Sequence, residues 1–249
     1  MKKILSIFVA VVILILGAII TLVYMTSEPK EPSPDIDSAS YVELGGYYSK
    51  DKNHAYTNAY DEDKLEIIEG ADLVSFTSIG DLYAKDKNHV YYYYGFKDRV
   101  KIVNGADPAS FNHLRHDYAK DKNLVFYNGK IFEGADSPSF SASNVYAKDK
   151  NHVYDHGQIV EGADPASFVE LKPTGKYINP LVMYAKNKNQ VYYYNTDTGT
   201  KVIKSADPNS IVFLGLEYAK DKNHVYFEGN ILAGADPATF KLPIPEPVE

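Results

Sequence analysis

The chain has 249 residues, with 22 Tyr and 11 Phe against no Trp: enough apolar side chains for a core, in a composition that favours pleated sheets. The absence of cysteine excludes disulfides, thiolate metal sites, a cysteine nucleophile and a lipidated N-terminal cysteine. The formal charge of −7 is uneven, because residues 1–30 carry +2 (Lys2, Lys3 and Lys30 against Glu28) and the remainder therefore −9, a body ill suited to nucleic acid or anionic lipid.

Residues Ile4 to Tyr24 form a run of 21 residues without a charge. As a helix the run spans roughly 30 Å, about the hydrocarbon thickness of a bilayer, with its backbone amides satisfied internally. Lys2 and Lys3 flank one end, while Glu28, Glu31 and Asp35 flank the other, so the positive-inside bias puts the N-terminus in the cytoplasm and the body outside. The rival reading is a cleaved signal peptide. The run is longer than an h-region of roughly 7–15 residues, and VYMTSEPK offers no Ala-x-Ala site, so an uncleaved anchor over 1–26 is preferred. Either reading exports the body. Residues 27–39 follow as a Pro-rich, polar spacer.

The body, residues 40–242, is repetitive. YAKDKNHVY at 83–91 recurs as YSKDKNHAY from Tyr48, YAKDKNLVF from Tyr118, YAKDKNHVY from Tyr146, YAKNKNQVY from Tyr184 and YAKDKNHVY from Tyr218. A second string follows each copy, from GADLVSF at Gly70 and GADPASF at Gly105 to GADPATF at Gly234, with the outlier SADPNSI at Ser205. Successive copies are spaced 35, 35, 28, 38 and 34 residues apart. A Pro-rich tail, 243–249, ends the chain.

Each unit can be folded from local rules. Asp-Lys-Asn suits a three-residue hairpin loop with Asn88 left-handed, which pairs Lys85 with His89, Ala84 with Val90 and Tyr83 with Tyr91. A second hairpin follows at Asn128-Gly129, His156-Gly157 and Glu228-Gly229. Two-residue loops there pair Tyr154 with Ile159 and Tyr226 with Ile231. Gly105 permits a chain reversal, Asp107 caps a helical turn, Pro108 fits its first position and Phe111 anchors the end. The unit read this way is a three-stranded meander, too small to fold alone and apolar on both faces. It must be layered between near-copies of itself. The expected architecture is six stacked meanders in an open β solenoid or superhelix; a closed six-bladed propeller is the alternative. Repeats this short, and a tail without a closing strand, favour the open array.

The recurring Asp-Lys-Asn followed by one or two residues and Tyr, as in DKNHVYYYY at 86–94 and DKNHVYF at 221–227, resembles the DKNYY family of bacterial repeat proteins. The resemblance covers about 48–240. It implies an exported or membrane-anchored repeat protein of bacterial origin and supplies no catalytic residue. Asn187 in place of the motif Asp, with Ser205 and Ile211 in the second string, implies a less regular fifth copy.

Candidate chemistry is sparse. His54, His89, His152 and His224 share one repeat position and could form a metal ladder, but Leu124 and Gln190 interrupt it, and neighbouring repeats are unlikely to bring two rings to metal–nitrogen distance. Solvent-facing strand positions beside the turn explain them better. The Asp and Asn of each turn could offer oxygens to calcium, yet about two per loop falls short of the six to eight required. Asp61-Glu62-Asp63 reads as a solvated loop. His113, Arg115, His116 and the insertion 169–183 stand outside the pattern but form no catalytic set. The tyrosine runs 91–94 and 192–194 read first as core, since alternate strand residues face opposite sides. No catalytic, cofactor or metal residue is assigned. The expectation is a non-enzymatic module of the cell envelope, held by the membrane through Ile4 to Tyr24, that binds or scaffolds protein or glycan, with the insertion as contact surface. A glycan hydrolase and a calcium-binding spacer are the alternatives.

Overall fold

The structure is a computed structural model, and it describes residues 35–58, 65–80, 82–95, 99–115, 117–175, 179 and 181–243. The expected anchor, most of the spacer, the acidic run 61–63, His116 and nearly all of the tail lie outside these residues. Among the described residues no helix is long and apolar enough to cross a membrane.

The described chain folds into six antiparallel sheets of four strands, each made of consecutive strands in chain order. The second sheet is representative: Thr77–Ser78, Tyr83–Lys85, Val90–Tyr93 and Val100–Ile102. This corrects the three-stranded unit. The missing strand precedes the tyrosine motif in every repeat, as VELG, TS, NHLR, SA, VE and VFLG. It pairs through its backbone and, outside the sixth sheet where Phe213 is core, it buries no side chain, so no shared side-chain pattern betrays it. Strands of two to four residues also let the short third repeat hold all four.

The second hairpin forms as read. Asn128 and Gly129 both have positive φ (52° and 67°), the mirror-image turn whose twist suits a two-residue hairpin. Phe126 pairs with Ile131, Tyr154 with Ile159 and Tyr226 with Ile231. Gly129 is doubly constrained, because a Cβ there would sit 2.6 Å from the Tyr92 ring of the preceding sheet. The first hairpin departs from expectation by one residue: Lys85 pairs with Val90, Ala84 with Tyr91 and Tyr83 with Tyr92. The loop holds four residues, closed by the Asp86 N–H on the His89 carbonyl at 2.9 Å, and Asn88 is not left-handed.

Both faces of each of the four interior sheets are apolar and covered by a neighbouring sheet. In the strand Val90–Tyr93, Tyr91 and Tyr93 pack toward the first sheet, while Val90 and Tyr92 pack toward the third. Tyr91, Tyr92 and Tyr93, like Tyr192, Tyr193 and Tyr194, are therefore core, while Tyr94 is half-buried. Five hydrophobic clusters join sheets one to two, two to three, three to four, four to five and five to six. Among the described residues no cluster joins the sixth sheet to the first. The described start of the insertion packs back onto the array. Its Leu171 packs against the cluster of sheets five and six, and the N–H groups of Thr174 and Gly175 donate to the Phe213 and Leu214 carbonyls on the edge of the sixth sheet.

Candidate functional site: the Asp-Lys-Asn turns

The only polar groups repeated throughout the chain are those of the two motifs, and the fold brings them together between sheets. Asp86 is the centre of one such site and is only 3% exposed. Its Oδ1 accepts the N–H groups of Asn88 and His89, both at 2.7 Å. This is an Asx-type cap, and it explains why the loop closes over four residues. Its Oδ2 accepts the N–H of Asp72 at 2.8 Å and the hydroxyl of Tyr91 at 2.9 Å. Four donors around one carboxylate overcome the opposing effect of burial and hold Asp86 below the usual carboxylate range. Asp51, Asp149 and Asp221 have the same four-donor arrangement and the same lowered range. Burial and the adjacent carboxylate raise the hydroxyl pKa of Tyr56 and of Tyr226 to about 12.

Asp72 belongs to the linking turn 70–76, and the docked motif grips that turn twice more. Lys87 forms an ion pair with Asp72 at 2.6 Å, and its N–H donates to Ser75 Oγ at 3.0 Å. Ser75 Oγ in turn donates to Asp72 Oδ1, and both side chains hold Asp72 at about 2. The far end of the turn is held by the sheet it leaves: Lys50 Nζ donates to the carbonyls of Leu73 and Phe76 at 2.8 and 3.0 Å. Each interior linking turn is thus clamped between a lysine of one sheet and the Asp-Lys-Asn turn of the next, or, at turn 162–168, its Asn187-Lys188-Asn189 equivalent. The motif tyrosine adds a third tie, since Tyr83 Oη accepts the Gly129 N–H at 3.1 Å and Tyr184 Oη the Gly229 N–H at 3.0 Å.

This arrangement consumes the oxygens that a cation would need. All of the Asp86 acceptor capacity faces N–H and O–H donors, so calcium has no ligand there. The motif histidines are half-buried rather than solvent-facing, each lying edge-on or tilted against the tyrosine two residues on, at 5.9–6.0 Å between ring centroids. Among the described residues no group of three His, Asp or Glu side chains converges on a metal site. Among the described residues, two of the clefts bear on a binding role. One, along the first strands of sheets four and five, is lined by Ser143, Tyr146 and Phe168 with Glu170 as its one carboxylate. The other is lined by Tyr47, Leu82, Tyr94, Asn128 and Lys130, with no carboxylate among its described lining residues.

One copy of the second string escaped the sequence reading. Residues 35–41, DIDSASY, repeat its Asp-x-x-Ser core without the Gly, Pro or Phe, and straddle the expected boundary between the spacer 27–39 and the body. Here Asp37 donates its N–H to Asp51 Oδ2 at 2.8 Å and pairs with Lys52, while Ser40 accepts the Lys52 N–H. The spacing of Asp and Ser relative to the first motif was the available signal. No curated protein and no solved structure matches the chain. The sequence pattern of the DKNYY family matches residues 21–158, 146–213 and 184–244, which takes in every one of these turns, and the chain belongs to that family.

Proposed function

We propose that this chain is a non-enzymatic binding or scaffold module of the cell envelope, anchored by Ile4 to Tyr24 with the N-terminus cytoplasmic and six sheets outside in an open linear array. The observation that carries the non-enzymatic reading is the fate of the repeated polar groups. Every motif Asp and Lys is committed to holding a linking turn, and among the described residues neither of these two clefts is lined by the two carboxylates that glycan hydrolysis requires. The open array is supported by core clusters that run from the first sheet to the sixth without a sixth-to-first member. The export reading rests on the uncharged 21-residue run and its flanking charges. The cleft of Tyr47, Tyr94 and Lys130 suits a glycan or peptide better than the insertion does, since aromatic faces stack on sugar rings or side chains and a lysine supplies a donor. Protease treatment of intact cells should degrade the body and leave a short anchored fragment; full protection would overturn the placement. In a pull-down from solubilised envelope, Tyr94→Ala should reduce capture of the partner about tenfold, and equal recovery would remove the cleft from the proposal.

A further inference from the structure

The two ends of the array are complementary. Six linking turns, those of Asp37, Asp72, Asp107, Asp136, Asp164 and Asp207, are each paired with a motif lysine. The seventh, 234–240, is built in the same way. Ala238 N–H and Thr239 Oγ1 donate to the Asp236 carboxylate at 2.9 and 3.0 Å, and Lys220 Nζ holds the Pro237 carbonyl at 2.8 Å. No Asp-Lys-Asn turn meets it among the described residues. The apolar residues beside it tell the same story. Tyr218 and Phe240 are only half-buried, whereas their equivalents in the second repeat, Tyr83 and Phe111, are buried beneath the next sheet.

At the other end, the Asp51-Lys52-Asn53 turn is covered by a weaker version of the same element. The turn 35–41 has no glycine at the reversal and Tyr41 in place of the anchoring Phe, and its exposed Ile36 replaces a half-buried alanine. No described lysine grips its carbonyl end. One end therefore offers a well-formed turn with no described residue of another repeat seated on it, and the other a matching motif held by a poor substitute.

We propose that copies of this chain associate head to tail, the Asp236 turn of one seating on the Asp51-Lys52-Asn53 turn of the next in place of that copy's own turn 35–41. The contacts are those made six times within the chain: Lys52 to the Asp236 carboxylate and the Lys52 N–H to Thr239 Oγ1, with the Asp236 N–H on Asp51 Oδ2 as at five of the six. A contact between unlike surfaces does not close on itself after two copies, so it yields rings or linear chains. The inference rests on the described repeats alone and stands whether or not the body is exported.

The chain lacks cysteine, so engineered pairs report cleanly. Full-length Lys52→Cys and Thr239→Cys chains in detergent micelles, mixed and oxidised, should give a disulfide-linked dimer at least tenfold above Thr239→Cys mixed with Lys122→Cys, whose turn is occupied. Ser40→Cys with Lys52→Cys in one chain should close internally, since Ser40 Oγ already lies 3.0 Å from the Lys52 backbone N–H. That internal bond without the intermolecular one would overturn the proposal. So would a dimer that forms only after residues 244–249 are removed, which would make that segment the occupant. Sedimentation of the cysteine-free chain gives a second reading: association that rises with concentration and is lost in Asp236→Lys supports the proposal, and association that is absent or unchanged in the variant overturns it.

Discussion

The second and fifth motif sites occupy equivalent places but solve their hydrogen bonding differently. Asp86 offers only acceptors and gathers four donors, one of them the Asp72 N–H of the turn it grips. Asn187 keeps Oδ1 for the N–H groups of Asn189 and Gln190, but its Nδ2 can only donate. That nitrogen therefore turns to the Gly162 carbonyl at 3.0 Å and to Tyr192 Oη, which passes its own proton on to Gln190 Oε1. The residue types at positions 187 and 190 fit each other. In this chain, then, Asp serves where the linking turn presents an N–H, and Asn serves where a carbonyl and a nearby acceptor can take the donor.

The largest expected effect comes from acid, which acts on the carboxylate sites together and leaves Asn187 untouched. Asp51, Asp86, Asp149 and Asp221 lie below their ordinary range in the folded chain. A lowered folded value means that the contribution is complete above the unfolded pKa of about 4 and is lost as pH falls toward the folded values. Thermal melts should show a midpoint insensitive to these groups between pH 5 and 7 and falling steeply below about pH 4. A midpoint unchanged down to pH 2 would show that the four donors do not favour the ionised form.

Next in size is Asp86→Ala. It strands the N–H groups of Asp72, Asn88 and His89 and the Tyr91 hydroxyl, with each unsatisfied buried donor costing roughly 1–3 kcal/mol before water enters. A net loss of about 3–5 kcal/mol in urea unfolding is expected. Asp86→Asn should cost less than half of that, because Oδ1 survives and only the Asp72 side must rearrange. Equal losses would mean that the fifth site is no guide to the second.

How much of this was legible follows from which groups carry the information. Asn128-Gly129 was readable because two residues of positive φ can hardly be anything but that hairpin. The layering was readable because Val90, Tyr91, Tyr92 and Tyr93 are apolar at every position, which only a strand covered on both sides permits. The register at Asp86 was not, because it depends on a side chain folding back onto its own loop, and the Asp72 contact that completes the site comes from 14 residues away. The first strand of each sheet was invisible because Thr77-Ser78 and Ser141-Ala142 share no side-chain pattern, only backbone pairing. The turn at Asp37 was hidden by the loss of its Gly and Pro, the residues that mark the other copies.

A smaller effect is expected from Tyr91→Phe, and the third repeat already shows the outcome. There Phe126 stands at the tyrosine position, and Asp121 manages with three donors, the N–H groups of Asp107, Asn123 and Leu124. A carboxylate left with three donors and no orphaned N–H should lose about 1 kcal/mol, the net worth of one hydrogen bond. A loss above about 3 kcal/mol would show that the hydroxyl is needed to order the ring and not merely to serve the carboxylate.

The smallest effect belongs to the contact that looks most conspicuous, the ion pair of Lys87 with Asp72. The lysine side chain is 63% exposed and the pair faces water, where Coulomb attraction is screened and the entropy of holding a long side chain opposes it. Lys87→Ala should therefore cost under about 1 kcal/mol and lose that difference in high salt. Lys85 is the contrasting case. It is half-buried, and its Nζ bridges the Pro108 and Phe111 carbonyls at 2.9 and 3.2 Å, so Lys85→Met leaves two acceptors unserved and should cost more, about 1–3 kcal/mol, with little salt dependence. Urea unfolding of both variants at low and high salt separates the two lysines of the motif. If Lys87→Ala proved the more damaging, the clamp would depend on surface charge and not on the satisfaction of buried backbone groups.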